Sequence, residues 1–229
     1  MIRGLLYCQL AKKILSVSIF KSIRFNLHYF PAKDAIRFPA IIYKNVSLYN
    51  MGGGIFIEEP IKTGIIQIGA KNVSIIGKDE RTIWDCQGEI HLIGKTYIGI
   101  GSCISIGKYG RLFLGNDFVL TARSTIDCQK EIRFGNECLL SWDILIMDSD
   151  YHEIINEKEE VINQPRPIMI GNHVWVGCRS TILKGSRLPD NTIVAAGTVI
   201  SNEIKTPNTI VGGSGKNIRM LKENVNWNK

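Results

Sequence analysis

The chain has 229 residues, which is enough for one sizeable domain with a buried core. Its six cysteines stand singly with no CxxC spacing, which argues against a zinc cluster or a disulfide framework and mildly favours a reducing, cytosolic location. The net charge of +7 is confined to one end: residues 1–45 hold eight Lys or Arg and one acid, and the rest is balanced.

Residues 1–45 are predicted to form a basic amphipathic helix followed by an extended cap. Four aliphatic residues recur at helical spacing in MIRGLLYCQLAKKILSVSIFKSIRF, and Lys12 and Lys13 lie off their stripe. The four are Leu6, Leu10, Ile14 and Val17. The lysines keep this run too short to cross a bilayer, and it lacks the cleavage site of a signal peptide. Two hypotheses stay open: packing against protein, and peripheral contact of residues 1–25 with an anionic membrane surface.

Residues 46–216 carry a six-residue repeat, which is irregular at 46–97. Shorter in-phase runs at 100–112, 114–126 and 134–146 precede a long one between 170 and 200. The long run consists of Ile170, Val176, Ile182, Leu188, Val194 and Ile200. A short strand followed by a corner, three times in each coil of about 18 residues, produces this spacing. The sequence therefore predicts stacked triangular coils of parallel strands around an aliphatic interior.

The repeat stops at residues 148–167, DSDYHEIINEKEEVINQPRP, and resumes at Ile168. Because the coils are otherwise regular, this segment is predicted to protrude as a loop, and loops on rigid scaffolds often carry function. It contains His152, one of four histidines in the chain. Residues 217–229, NIRMLKENVNWNK, are predicted to form a short helical tail that caps the last coil.

This pattern resembles the hexapeptide-repeat family, whose fold is the all-β, left-handed parallel β-helix. The resemblance is strongest over 98–147 and 168–205. Ser141-Trp142, the stretch DSDYH and the stretch IGNHVWVG resemble that family's sugar and polysaccharide O-acetyltransferases, and FNLHYFPAKDAIRFP is similar to acetyltransferases of bacterial polysaccharide loci. The resemblance implies an acetyl-CoA-dependent, cytoplasmic homotrimer that acetylates a sugar hydroxyl in cell-surface polysaccharide biosynthesis.

The resemblance makes His152 the general base. A sugar hydroxyl is a poor nucleophile at neutral pH, and an imidazole, with an ordinary pKa of about 6.5, can accept its proton as the oxygen attacks a thioester. Asp150 is expected to orient His152, and Asp148 and Trp142 are expected to bind the acceptor. His173 is predicted to be only a turn residue at a corner of the repeat.

The resemblance also places acetyl-CoA in a groove between subunits along the C-terminal coils. The residues implied in its binding are Trp175, Gly177, Cys178, Ala196, Ser201, Lys205, Lys216 and Arg219. Cys178 and Ala196 lie one coil apart, and Lys216 and Arg219 are cations suited to phosphates. The chain departs from the family at Ser201-Asn202, where Thr-Lys is usual, and after Gly212, where the Pro-Ala of the usual Pro-Ala-Lys is replaced.

Three alternatives stay open at this stage. The acceptor could be the amine of an amino sugar, a serine or an antibiotic, because the fold does not fix the acceptor. His91, His152 and His173 could bind zinc in a hydrolyase, although their spacing has no ligand signature and no metal is expected. The third alternative is a non-catalytic β-helix used for assembly. No nucleic-acid partner is expected, and Gly99 and Gly101 lack the third glycine of a dinucleotide motif.

Overall fold

The structure is a computed structural model that describes residues 15–228. Two α-helices, α1 (Ile19–Tyr29) and α2 (Ala32–Ala35), precede the strands. The strands form three sheets. Sheet one contains β1 (Ala40–Ile42), β4 (Ile66–Ala70), β7 (Thr96–Gly99), β10 (Phe118–Ala122), β13 (Leu139–Trp142), β16 (Trp175–Val176), β19 (Ile193–Val194), β21 (Ile210–Gly212) and β22 (Arg219–Lys222). Sheet two contains β2 (Val46–Asn50), β5 (Thr82–Cys86), β8 (Cys103–Ile106), β11 (Thr125–Cys128), β14 (Leu145–Met147), β17 (Thr181–Leu183) and β20 (Val199–Ile200). Sheet three contains β3 (Gly54–Ile57), β6 (Glu89–Leu92), β9 (Arg111–Leu114), β12 (Glu131–Phe134), β15 (Ile168–Ile170) and β18 (Arg187–Leu188).

From β1 to β20 the chain visits the three sheets in turn, and each strand pairs in parallel with the strand one coil away. A chain that winds in this way forms a triangular prism with one sheet on each side. The all-β fold class predicted from the sequence, a parallel β-helix of hexapeptide repeats with a short N-terminal helix, is confirmed.

The six-residue repeat forms the interior of the prism. In the last coils each aliphatic residue stacks on the one 18 positions away, as in the pairs Val176 with Val194 and Ile182 with Ile200. All six members of the long run are buried. Burying an aliphatic side chain contributes about 1.5–3 kcal/mol, so these stacked columns supply most of the stability of each coil.

The corner between sheets three and one is held by a ladder of Asn and Asp side chains. The side-chain oxygen of Asn136 accepts the backbone N–H of Asn116, that of Asn172 accepts the N–H of Asn136, and that of Asp190 accepts the N–H of Asn172, over 2.7–2.9 Å. Each side chain thereby satisfies a corner amide that no strand pairs, which keeps successive coils in register.

Helix α1 covers the open N-terminal end of the prism. Asn26 donates to the carbonyl of Ala40 and accepts its N–H, and the Ser22 hydroxyl accepts the N–H of Ile42. These side chains satisfy the outer edge of β1, which would otherwise be an unpaired strand edge. Phe25, which is fully buried, packs into the core beneath the helix.

The ends differ from their predicted bounds. The coils begin with β1 at Ala40, before the predicted boundary at residue 46. The predicted helical tail is wrong, because a 3-10 turn (Gly215–Asn217) leads into β22, which pairs antiparallel with β21. Val17 forms an isolated bridge with Tyr43, and the rest of the predicted stripe lies outside the described residues. Among residues 15–228, no helix is long and apolar enough to span a bilayer.

Candidate active site

The segment 148–167, hereafter the His152 loop, leaves the prism between β14 and β15. It therefore stands at the corner between sheets two and three. Inside it, Ile155 and Val161 form an isolated antiparallel bridge. The interruption of the repeat thus corresponds to a protruding hairpin on an otherwise regular scaffold.

Asp148 fixes the first residue of the His152 loop. Its side chain is fully buried, and its carboxylate accepts the backbone N–H groups of Gln129, Lys130 and Glu131 over 2.7–2.9 Å. Its carbonyl accepts the N–H of Arg166, which joins the two ends of the loop. This carboxylate is committed to the turn one coil below, so its burial argues against the predicted contact with an acceptor.

Tyr151 ties the loop to the outer surface of sheet two. It has a φ of +61°, and its hydroxyl donates to the Asp127 carboxylate over 2.5 Å and accepts from Gln129 over 2.8 Å. Partial burial of the phenol, followed by its contact with Asp127, raises the pKa of Tyr151 to about 12. Tyr151 therefore stays a neutral hydrogen-bond donor, and its positive φ is a strained backbone conformation for a residue other than glycine.

Asp150 and Lys184 brace the loop next to His152. The Lys184 ammonium donates to the Asp150 carboxylate and to the carbonyl of Asn163, the latter over 2.7 Å. Asn163 in turn donates to both the Asp150 carboxylate and the carbonyl of His152 over 2.8 Å. In the described part of the chain no hydrogen bond joins the Asp150 carboxylate to the His152 ring, so Asp150 positions the backbone of His152 and not its imidazole.

The Asp150–Lys184 contact predicts a pH dependence of loop order. Hydrogen bonds from Lys184 and then from Asn163 lower the pKa of Asp150 below its ordinary value. A depressed folded-state pKa contributes stability that is present above the ordinary aspartate pKa of about 3.9 and is lost as pH falls through the depressed pKa. The protection of the loop amides from hydrogen exchange, relative to an unfolded chain at the same pH, should therefore persist until pH falls below the ordinary aspartate range. Lys184→Met should abolish this protection at neutral pH, whereas Lys158→Met, at the exposed tip, should retain it. Equal protection in both variants would contradict this role of Lys184.

The His152 side chain is exposed and lines a pocket of about 250 Å³. The pocket is also lined by Ser149, Asp150, Tyr151, Glu153, Val161, Asn163, Gln164 and Pro165. The His152 backbone is fixed on both sides, since the His152 N–H donates to the Asp150 carbonyl over 2.7 Å and the His152 carbonyl accepts from Asn163. The arrangement presents an exposed imidazole on a fixed backbone to a ligand from solvent.

A second set of predicted residues meets at the corner between sheets one and two. This small-residue corner consists of Gly177, Cys178, Ala196 and Gly197. The N–H of Gly197 donates to the Cys178 carbonyl over 2.9 Å, so Cys178 and Ala196 stack on successive coils as their spacing predicts. Ala196 and Gly197 are exposed, and a Cβ on Gly177 would lie 2.7 Å from the Ala196 nitrogen. The corner is therefore a narrow wall of backbone and small side chains.

Two tryptophans lie beside this corner. Trp142 is one coil below Cys178 and packs against the cluster of Ile76, Ile100 and Ala122, so it belongs to the small-residue corner and not to the predicted acceptor site with His152. Trp175, 37% exposed, projects outward from sheet one and donates to the Ser141 hydroxyl over 3.2 Å.

The C-terminal segment folds back onto Trp175. Trp227 lies with its ring centroid 5.8 Å from that of Trp175 and stacks on His173 at 4.3 Å. Its indole N–H donates to the His173 carbonyl over 2.9 Å. His173 has a φ of +54° at a corner, so its prediction as a turn residue is confirmed. Trp227 was not among the predicted site residues.

The other residues predicted to bind the donor are dispersed. Ser201 follows β20, and a Cβ on Gly215 would lie 3.9 Å from its hydroxyl, so the 3-10 turn with exposed Lys216 is its neighbour. Arg219 pairs with Gly212 in sheet one and is exposed. Lys205 lines a pocket with Arg187 on sheet three, on another side of the prism from Trp175.

One chain does not bring the two halves of the site together. His152 stands at the corner between sheets two and three, whereas Cys178 and Ala196 stand at the corner between sheets one and two. A ligand that lies along the small-residue corner of one copy is therefore on a different edge of the prism from the His152 of that copy.

The three body histidines are also apart. His91 projects from sheet three, where its ring stacks between Phe56 and Phe113 at 4.8 and 4.6 Å. His173 is covered by Trp227, and His152 is on its loop. Within residues 15–228 no three His, Cys, Asp or Glu side chains gather as metal ligands, so the geometry does not favour the hydrolyase alternative.

Two residues that shape the His152 loop were missed in the sequence. Lys184 could have been found from the repeat: if Ile146 and Ile182 stack, then Leu183 stacks on Met147 and Lys184 follows beside the start of the loop. Asn163 gives no such signal, because its role depends on the path of the hairpin inside the interruption.

Comparison with known proteins supports the resemblance over part of the chain. No protein-family model matches. The chain is 42% identical over 62 residues to a polysialic acid O-acetyltransferase of Neisseria meningitidis, a match that covers 27% of this chain and 29% of the relative. It is 26% identical over 109 residues to the galactoside O-acetyltransferase of Escherichia coli strain K12, which covers 46% and 52%. A solved polysialic acid O-acetyltransferase aligns with a TM-score of 0.47 and 24% identity, over 80% of this chain and 70% of that one.

The chain thus matches about half or less of the length of these curated relatives. The relatives are O-acetyltransferases. The predicted similarity of this chain to hexapeptide-repeat acetyltransferases is therefore confirmed.

Proposed function

We propose that this protein is an acyltransferase that moves acetyl from acetyl-CoA to a hydroxyl of a sugar, in the synthesis of a bacterial cell-surface polysaccharide. The observation that carries the proposal is the exposed imidazole of His152, whose backbone is fixed on the loop that interrupts the β-helix. The named activities of the matched relatives support O-acetyl transfer to a saccharide. The location that we propose is cytoplasmic.

The small-residue corner fits the slender arm of coenzyme A. Stacked Cys178 and Ala196 present backbone and short side chains, and Gly177 cannot carry a Cβ without meeting the Ala196 nitrogen. Bulkier residues at this corner would fill the space that the arm needs. The exposed cations Lys216 and Arg219 lie beyond it and suit the phosphates of the donor. We propose that Trp175, Ser201 and Lys205 have smaller roles in donor binding.

Acetyl-CoA supplies an acetyl thioester whose carbonyl carbon can be attacked. His152 accepts the proton of the sugar hydroxyl as the hydroxyl oxygen bonds to that carbon, and it returns the proton to the sulfur when the carbon–sulfur bond breaks. The N–H groups of Gly177 and Gly197 already donate to the carbonyls of Val194 and Cys178, so the backbone amides of Cys178 and Ala196 are the candidates to stabilise the negative oxygen that forms. No covalent bond to the protein is needed, so Cys178 acts only as part of the wall.

We propose a homotrimer because the two halves of the site stand on different edges of one chain. If copies pack side by side with parallel axes, the small-residue corner of one copy can face the His152 loop of the next. The acceptor then enters between subunits, where Glu153 and Gln164 also line the loop pocket.

Calorimetric titration with acetyl-CoA tests the donor site. The wild-type protein should bind saturably. Ala196→Trp should weaken binding by roughly tenfold, or about 1.4 kcal/mol, because the indole fills the wall. Ile36→Trp places the same side chain at an exposed position at the end of α2, away from this corner, and is the matched control. Absence of wild-type binding, or equal affinity in both variants, would contradict the proposed donor site.

A further inference from the structure

The outward side of α1 is apolar, although the helix already packs its other side on the coils. Ser22, Phe25 and Asn26 face inward and are buried. The outward residues Phe20 and Leu27 are 76% and 61% exposed, and Ile19 and Ile23 lie on the same side. This α1 face is therefore continuous along the helix and uncovered by the described residues.

Cations gather at one edge of the α1 face. Lys21, Lys44, Lys78 and Arg81 line a surface pocket of about 400 Å³, together with a single carboxylate, Asp79. Lys21 comes from α1 and the other three from the corners of the first coils. Around the helix, Arg24 comes next to Phe20 and Lys21 follows Arg24, so the basic pocket borders the apolar face along one side of α1.

The cations of the basic pocket are available to a ligand. Within residues 15–228, Lys44, Lys78 and Arg81 are exposed and make no ion pair. The Lys21 ammonium donates to the carbonyls of Lys44 and Val46 over 2.7 and 2.5 Å, which fixes it in the pocket and leaves one of its three protons free. Partial burial, and then the charge of Arg81, lower the pKa of Lys21, and the negative charge of an anion in the pocket would oppose this lowering.

We propose that the basic pocket and the α1 face together form a docking surface for an anionic membrane: the pocket binds the phosphate of a lipid headgroup, and the apolar side chains of α1 enter the boundary of the acyl chains. An interfacial helix combines such a face with cations at its edge. The charge distribution is complementary, since residues 1–45 carry the whole net charge of +7. This inference is independent of acetyl transfer and gives the predicted membrane contact a particular site.

Vesicle co-sedimentation of the full chain tests the surface. Wild-type protein should bind vesicles of mixed phosphatidylglycerol and phosphatidylcholine and should bind pure phosphatidylcholine far less. Lys44→Gln/Lys78→Gln/Arg81→Gln should weaken binding to the anionic vesicles by roughly tenfold or more. The matched control Lys62→Gln/Lys108→Gln/Lys222→Gln removes three exposed lysines elsewhere and should retain most of the binding. Equal loss in both triple variants would overturn the pocket in favour of nonspecific charge attraction.

Two further arms separate the sources of phosphate and the contribution of the helix. Ile23→Ser, at a partly exposed position, should also reduce anionic vesicle binding while leaving the melting temperature within the range of the control. Titration with inorganic phosphate tests a soluble ligand: loss of phosphate binding in the pocket variant with unchanged vesicle binding would overturn the membrane proposal. Acetyl transfer to soluble acceptors should be unchanged in these variants, so failure of this inference is distinguishable from failure of the proposed function.

Discussion

Replacing His152 with alanine should lower the rate of acetyl transfer by about a hundredfold to ten-thousandfold, the range that a positioned general base contributes. The imidazole is exposed, so its removal should leave the fold intact. Because the small-residue corner, and not His152, is proposed to bind the coenzyme A arm, the affinity for acetyl-CoA should be retained. Release of the coenzyme A thiol at saturating acetyl-CoA, with a panel of sugar acceptors, measures the effect.

The matched control for this experiment is Lys158→Ala, at the exposed tip of the same loop. This variant should keep close to wild-type activity, which would show that a substitution in the loop is not by itself sufficient to lower the rate of acetyl transfer. Full activity of His152→Ala on sugar hydroxyls would remove His152 from the mechanism. Full activity on an amine only would favour the N-acyltransferase alternative, because an amine that arrives neutral needs little help from a base.

Replacing Asp148 with alanine should reduce the free energy of unfolding by about 4 kcal/mol. Its carboxylate accepts three backbone N–H groups in a fully buried position, and each donor left without a partner costs about 1–3 kcal/mol. Entry of water into the space offsets part of this cost. Denaturant unfolding followed by circular dichroism measures the change, and hydrogen exchange should show faster opening of the His152 loop.

Asp148→Asn separates the hydrogen bonds from the volume of the side chain. The amide oxygen can still accept the N–H groups of Lys130 and Glu131, but its NH₂ group then faces the N–H of Gln129. This variant should lose about half of what the alanine variant loses. If Asp148→Ala unfolds with nearly wild-type free energy, then the carboxylate does not anchor the loop, and its predicted contact with an acceptor would have to be considered again.

The scaffold could be predicted because its signal is local and repeated. The period of six appears in the residues themselves, and stacking aliphatic residues 18 positions apart, such as Val176 and Val194, gives the coils and their register. The same arithmetic placed Cys178 beside Ala196. It also located the His152 loop, since an interruption in a strict period must leave the scaffold.

The parts that could not be predicted depend on contacts without a period. Asp148 reads as a polar loop residue, and its burial follows only from the path of the turn at Gln129–Glu131 in the coil below. Trp227 stacks on His173 because the chain reverses direction at β22, and the six-residue repeat does not predict this reversal. The family resemblance predicted that Trp142 binds the acceptor beside His152, whereas the strand pairing places Trp142 at the small-residue corner.

The most direct test of the account is mass spectrometry of a sugar or oligosaccharide panel after incubation with acetyl-CoA and the purified protein, followed by mild alkali. Transfer to a sugar hydroxyl predicts a mass increase of one acetyl group that depends on His152 and is removed by alkali, as expected of an ester. An alkali-stable acetyl group would place the transfer on an amine. Saturable acetyl-CoA binding without modification of any acceptor in the panel, or no binding at all, would contradict sugar O-acetylation as the function of this chain.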